Sequence, residues 1–270
     1  MSGNMFTLRG CRLDMPRMLY AWLPRQHRAR LCIGALGLRN GLCDRSAAKP
    51  ALWQANATSG YGIDPASMTS SIYECLVDGY PLDGSQGKTC VEGLELVGSR
   101  IDLAGAELEL INQPERERVL SKLLEPIRAK YDYILIDCSP SLGLITVNAL
   151  TAADSVIIPV QAEYFALEGI SKLLNTIRII KKRLNPDLEI EGFLLTMYDS
   201  RLRLANQIYE ELKTYFADMI FDTVIPRNIK LSEAPSHGLP VLMYDPESRG
   251  ATSHVALAKE IIAKHDAKQS

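Results

Sequence analysis

The stretch DGSQGKT ends in Gly87-Lys88-Thr89, the three residue types that close a phosphate-binding loop. Such a loop reads G-x-x-x-x-G-K-[ST]. An early glycine lets successive backbone N–H groups curl around the phosphates, and a helix beginning at the lysine points its positive end at them. Here the early position is Leu82, with Pro81 beside it. No β-branched run precedes the loop, and the following CVEGLELVGSRIDL reads as a strand and not as a helix. The expectation is a surface turn.

A second stretch, YDYILIDCSPSLG, sets an apolar strand ending on Asp137 before a small-residue turn that opens into a helix. In open α/β sheets ligands collect at the carboxyl ends of the strands, and in phosphate-loop proteins an aspartate there supports Mg²⁺. The same residue could instead cap the turn or helix that follows it.

The elements around these residues alternate. LELVG (94–98), YILID (133–137), SVIIPV (155–160), FLLTMY (193–198) and IFDTVI (220–225) read as short buried strands. Between them lie GAELELINQPERERVLSKLLEPIRAKY, broken at Pro114, and the amphipathic ALEGISKLLNTIRIIKKRL and RLANQIYEELKTYF, and SHVALAKEIIAKH closes the chain. This order predicts an α/β fold, a doubly wound and mostly parallel sheet flanked by helices. Near the N-terminus RLCIGALGL could be a strand and MPRMLYAWLPRQHRARL a helix interrupted at Pro24, though neither is well capped.

The 270 residues, 47% hydrophobic, suffice for one α/β domain with a sizeable core. No run of about eighteen apolar residues could span a bilayer, and no secretory leader is visible, so a cytoplasmic address is expected. Six cysteines at 11, 32, 43, 75, 90 and 138 form no C-x-x-C pair, which indicates neither a zinc site nor a disulfide framework. The net charge of −2 conceals an asymmetry. Residues 1–50 hold eight Arg and one Lys against two Asp, a balance of +7, which leaves −9 for the remainder. The first glutamate is Glu74, whereas both tryptophans, Trp22 and Trp53, precede Gln54. Such a segment could be a basic arm for nucleic acid or membrane, or could have a separate origin.

From QANATSGYGIDP onward, through YDYILIDCSPSLGLITVNALTAADSVIIPVQAEYFALEGISKLLNTI, LLTMYDSRLRLANQIYEEL and VIPRNIKLSEAPSHGLPVLMYDPESRGA, the chain resembles the ParA/Soj family of chromosome- and plasmid-partitioning ATPases, relatives of MinD. The likeness spans about 210 residues. It implies a phosphate-loop NTPase-like fold and a deviant Walker-type ATPase. Such a protein forms a homodimer around ATP and Mg²⁺, binds DNA non-specifically near the nucleoid, and is released when a ParB-type partner stimulates hydrolysis. By that resemblance Asp137 is the Walker B acid, acting on Mg²⁺ through water. DSVIIPVQAEYFALEG lies near the nucleotide and the dimer interface, and Pro226, Arg227 and Asn228 border the adenine. Arg201, Arg203, Arg227 and Lys230 meet the DNA backbone. Each of these cations could equally be a solvated charge or an ion-pair partner.

The departure lies in residues 1–53. The family opens on a strand followed by K-G-G-x-G-K-[ST]-T and carries D-x-D-P directly before QANATSG. This chain has no lysine before Lys49, which precedes Pro50, and has Ala51-Leu52-Trp53 in place of the acidic strand end. Gly87-Lys88-Thr89 falls elsewhere in the pattern and does not replace the loop. The expected division is an atypical basic segment over 1–53 and a ParA-like domain over 54–270. Catalysis is in doubt, since the Walker A lysines and the D-x-D-P acid are missing. Two origins remain open: a partitioning ATPase whose N-terminal codons are read in a shifted frame, or a non-catalytic DNA-binding or dimer-forming regulator derived from the family. A dinucleotide-binding enzyme finds no G-x-G-x-x-G.

Overall fold

The structure, a computed structural model, describes residues 4–9, 30–34, 56–100, 103–138, 143–162 and 166–269. Among these residues seven strands form one sheet: β1 (Asn4–Arg9), β2 (Arg30–Gly34), β3 (Gly87–Lys88), β4 (Leu94–Val97), β5 (Tyr133–Cys138), β6 (Ser155–Gln161) and β7 (Glu189–Thr196). Their spatial order is β3-β4-β2-β5-β1-β6-β7. β2 runs parallel to β4 and β5, and β6 parallel to β7. β1 is antiparallel to both its neighbours, and β3 is antiparallel to β4.

The helices are α1 (Asn56–Gly60), α2 (Ile72–Val77), α3 (Leu103–Leu110), α4 (Val119–Leu124), α5 (Leu144–Ala152), α6 (Ala166–Arg183), α7 (Arg203–Phe216), α8 (Ile229–Glu233), α9 (Val241–Tyr244) and α10 (Arg249–Gln269). Alternation along the strands divides them between two faces. Val156, Ile158 and Val160 of β6 and Phe193 and Leu195 of β7 join the core under α2 to α7. Ile157 and Leu194 point the other way, onto Phe221, Leu257 and Ile261, where α10 covers the sheet. The doubly wound expectation therefore holds, with β1 and β3 as the antiparallel exceptions.

Local sequence explains the ends of these elements. Ser71 and Glu74 form a capping box on α2: the Ser71 Oγ accepts from the Tyr73 N–H at 3.2 Å, and the Glu74 carboxylate accepts from the Ser71 N–H at 2.7 Å. In α7 the buried residues Ala205, Ile208 and Leu212 recur every three or four positions. No described helix is long and apolar enough to cross a membrane.

Two expectations need correction. IFDTVI is not a regular strand. It meets β7 at the Phe193–Ile220 bridge and through the Phe221 and Ile225 N–H groups, which donate to the Phe193 and Leu195 carbonyls, while the N–H groups of Asp222 and Thr223 between them donate to the Glu260 carboxylate at 2.8 and 2.9 Å and make no ladder bond. Gly87-Lys88 is not a free turn but the short edge strand β3, paired with Leu96 and Glu95. RLCIGALGL does supply a strand, β2, between β4 and β5. The helix proposed over MPRMLYAWLPRQHRARL, apart from the residues of β2, lies outside the described residues, as do Ser139–Leu142 after Asp137 and Ala51-Leu52-Trp53.

Candidate nucleotide edge and basic cluster

Asp137 sits one residue before the end of β5, at the carboxyl edge of the sheet, with Gly34 of β2 beside it on one side and Met5 of β1 on the other. Burial pushes its carboxyl up to about 7. Gly143 is the N-cap of α5. There the Glu107 Oε1 of α3 accepts from the Ile145 N–H at 3.3 Å, and a Cβ at Gly143 would collide with that carboxylate. A carboxylate at the start of a helix also opposes the helix dipole favourably.

The direction of β1 bears on one flank of Asp137, parallel β2 ending on the other. Asn4 pairs with Cys138 and Arg9 with Tyr133, so β1 begins at the Asp137 edge and leaves the sheet at the opposite one. A phosphate loop needs a strand that ends at this edge and turns straight into a helix. The strand in this slot runs the other way.

Lys88 offers no substitute. Its strand is the outermost of the sheet, separated from β5 by β4 and β2. The Thr89 hydroxyl is used within the hairpin, 3.0 Å from the Leu94 carbonyl and accepting from the Val91 N–H at 3.1 Å.

Further along the same edge lie the basic residues. Arg201 makes a bidentate pair with Asp199, at 2.9 and 2.7 Å, and its guanidinium holds that carboxyl down at about 2. Arg203 begins α7, which has no side-chain cap and no acidic residue in its first turn. The Arg227 N–H donates to the Tyr198 carbonyl at 3.0 Å, which ties Arg227 to the segment carrying Asp199. Lys230 is engaged with Glu233 at 2.9 Å. The Asn228 Oδ1 accepts from the Lys230 N–H at 2.8 Å and so caps α8, while Pro226 forms the bridge with Tyr198.

A family profile described as an AAA domain matches residues 52–190. The sporulation initiation inhibitor protein Soj of Bacillus subtilis is 55% identical over 210 residues, covering 78% of this chain and 83% of that protein. The chromosome partitioning protein ParA of Myxococcus xanthus is 49% identical over 215 residues, covering 80% of this chain and 76% of that one. The chain belongs to the ParA/Soj family. Among solved structures, cobyrinic acid a,c-diamide synthase from Mycobacterium smegmatis with bound ADP and magnesium superposes with a TM-score of 0.68 at 29% identity, covering 87% of this chain and 82% of that one. The MinD protein of Pyrococcus horikoshii complexed with Mg-ADP shares the fold, with a TM-score of 0.65 at 24% identity over 87% of this chain and 83% of that one.

In this ParA/Soj chain, then, a carboxylate stands where a magnesium ion could be supported, but the described residues provide no cradle for phosphates. Residues 10–29, 35–55 and 139–142 lie outside the described ones. Sequence reasoning missed two groups of residues. One is Glu107 on the start of α5; nothing local in GAELEL marks it. The other is a buried polar pair at the opposite edge of the sheet, Glu191 of β7 and His265 of α10. An ionisable residue inside each of two apolar runs was the available signal.

Proposed function

We propose that this chain is a chromosome- or plasmid-partitioning protein of the ParA/Soj type in which the DNA-contacting surface is retained and the ATP–Mg²⁺ site is not formed. The observation that carries this reading is the antiparallel course of β1 beside Asp137. ATP in the relatives is expected to meet a loop that follows a parallel strand in that slot. Asp137 would support Mg²⁺ through water, and Pro226, Arg227 and Asn228 would flank an adenine, but neither contact supplies what the phosphates need.

DNA binding in this reading depends on Arg201, Arg203, Arg227 and Lys230. Support comes from α7, whose uncapped N-terminus carries arginines where the helix dipole disfavours them. A phosphate would offset that arrangement, and neutralising phosphates needs no base-reading geometry. A ParB-type protein is the expected partner and a homodimer the expected assembly, with the nucleotide-driven step absent. The division into a basic segment over 1–53 and a ParA-like domain over 54–270 is part of the same proposal. Titration calorimetry with ATP–Mg²⁺, together with DNA binding by anisotropy, tests both halves: DNA binding without nucleotide binding is expected, and micromolar ATP affinity would refute the reading.

The second reading, a non-catalytic regulator, is favoured by β2. Residues 30–34 pair with β4 and β5 along their length, so part of the N-terminal segment is built into the sheet. The coding frame upstream of residue 54 separates the two.

A further inference from the structure

We propose that the carboxyl end of α6 is a second phosphate-contacting surface, set at the opposite end of the sheet from Arg201, Arg203 and Arg227, so that one chain holds two duplex DNA segments at once. The α6 contact stands on its own residues, whereas the two-segment arrangement rests on the DNA-binding reading above.

From Gly169 to Arg183, α6 has no acidic residue and closes on Arg178, Lys181, Lys182 and Arg183. All four are exposed, and among the described residues none of them makes an ion pair within 4 Å. Leu173, Ile177 and Ile180 form the core face of the helix. At about 3.6 residues per turn, Arg178 and Lys182 fall on the opposite side, one turn apart, with Lys181 and Arg183 on its two flanks. Like charges one turn apart repel. The helix dipole favours Lys181, Lys182 and Arg183 in the last turn, but its effect fades before Arg178.

Other cations near this end of the sheet are neutralised: Arg128 pairs with Asp154, Arg116 with Glu117 and Lys268 with Glu189. Those pairs also occupy the carboxylates that could have answered α6. Asp187, in the connection to β7, is the nearest acid in sequence, one charge against four. A compact group of unpaired cations suits a polyanion with closely spaced phosphates, which it binds by releasing counterions and without reading bases. A lipid surface is the poorer match. Interfacial helices insert their apolar face, and that face of α6 is spent on the core.

The position of the group follows from the topology. α6 joins the parallel strands β6 and β7, so it ends where β7 begins, at Glu189, and Arg201 follows where β7 has ended, at Thr196. The length of β7 sets the two groups of cations roughly 26 Å apart along the strands.

The probes are a biotinylated duplex on streptavidin beads and a fluorescein-labelled duplex of unrelated sequence. The full chain is expected to carry the labelled duplex onto the beads and to saturate with two short duplexes per chain. Arg178→Ala with Lys182→Ala should abolish capture and reduce saturation to one duplex, while binding to the immobilised duplex persists. Circular dichroism verifies folding, and Lys181→Ala with Arg183→Ala repeats the test on the flanks. Capture and saturation unchanged in both α6 variants would overturn this proposal and leave the DNA-binding reading standing, since a dimer presenting two Arg201 clusters would then explain capture. If they are instead lost in the α6 variants and unchanged in Arg203→Ala with Arg227→Ala, the Arg201 cluster fails as a DNA surface and the two-segment arrangement falls with it. Absence of any duplex binding would overturn both. Weakened binding of the α6 variants to phosphatidylglycerol vesicles, with duplex binding intact, would assign the patch to a lipid surface and overturn the proposal as well.

Discussion

The Nε2 of His265 lies 3.2 Å from the Oε2 of Glu191, with the two side chains 3% and 1% exposed. Glu191 is the extra residue of a β-bulge: Val156 pairs with Ile190 and Ile157 with Gly192, which leaves Glu191 between them without a ladder partner. A bulge re-aims a side chain, and this one turns a carboxylate from the strand toward α10. The Tyr133 ring stacks on the imidazole at 5.7 Å. Burial alone would raise the Glu191 carboxyl, but His265, Ser155 and Lys268 outweigh it and hold the group at about 2. A carboxylate held below its ordinary value stabilises the fold above pH 4.5, and that contribution is lost as pH falls from about 4.5 to about 2. Urea midpoints should drop through this window in the parent and change less in Glu191→Gln. Removing one partner, as in His265→Phe, leaves the Glu191 carboxylate buried without its neighbour and should cost roughly 1–3 kcal/mol; no measurable loss would show the pair to be energetically idle.

Nucleotide binding is the second test. Calorimetric titration of the full chain with ATP–Mg²⁺ should show no micromolar association, and any residual ATPase signal should be indifferent to Asp137→Ala. Turnover that disappears in that variant would mean a working site.

DNA affinity should be independent of sequence and fall steeply with salt. Arg201 and Lys230 already hold carboxylates. Among the described residues Arg203 and Arg227 make no ion pair within 4 Å. Arg203→Ala with Arg227→Ala should therefore flatten the slope of log affinity against log salt by about 2, at roughly 0.9 per phosphate contact. An unchanged slope would move the contact surface elsewhere, and loss of binding only on deletion of residues 1–50 would assign it to the basic arm.

Gly238 has φ +63 and lies against Gly62, whose φ is +71; a Cβ on Gly238 would meet the Gly62 Cα at 2.7 Å. Neither backbone can yield easily, because both occupy the left-handed region that favours glycine. Gly238→Ala should lower stability by roughly 1–3 kcal/mol, read from denaturant midpoints. Gly60→Ala, where a Cβ meets nothing within 4 Å, serves as the control.

The coding sequence offers the fifth test. Translating the nucleotides upstream of codon 54 in the other two frames should reveal a strand, a K-G-G-x-G-K-[ST]-T loop and a D-x-D-P just before QANATSG. If neither frame contains them, residues 1–53 are a genuine N-terminus and the regulator reading takes precedence.

The strands 94–97, 133–138 and 155–161 were legible because each is a short apolar run bounded by polar or turn residues, and α7 was legible to its first and last residue because its buried positions recur at helical spacing. IFDTVI carried the same β-branched signal, yet its Asp222 and Thr223 N–H groups donate to the Glu260 carboxylate of α10 and not to a strand. NMFTLR was not recognised as a strand, and composition carries no information about direction: an antiparallel and a parallel β1 would present the same six residues to β5. The Glu191–His265 pair joins positions 74 residues apart, so only the fold brings them together. At the site, Asp137 was legible from its place after an apolar run, whereas Glu107 reaches α5 from another helix.

β5 and β6 share no hydrogen bond; each meets β1 instead, six residues of it on one side and three on the other. In mechanical terms β1 is a seam. Without it the four-stranded piece β3-β4-β2-β5 and the two-stranded piece β6-β7 would stand two strand spacings apart, about 9.5 Å. A load applied between the N-terminus and the body of the protein would reach that seam directly. Because six ladder pairs on one flank oppose three on the other, the weaker join is the one to β6. Under force the sheet should part along that line, into a larger fragment holding Asp137 and a smaller one whose strands lead to the arginines.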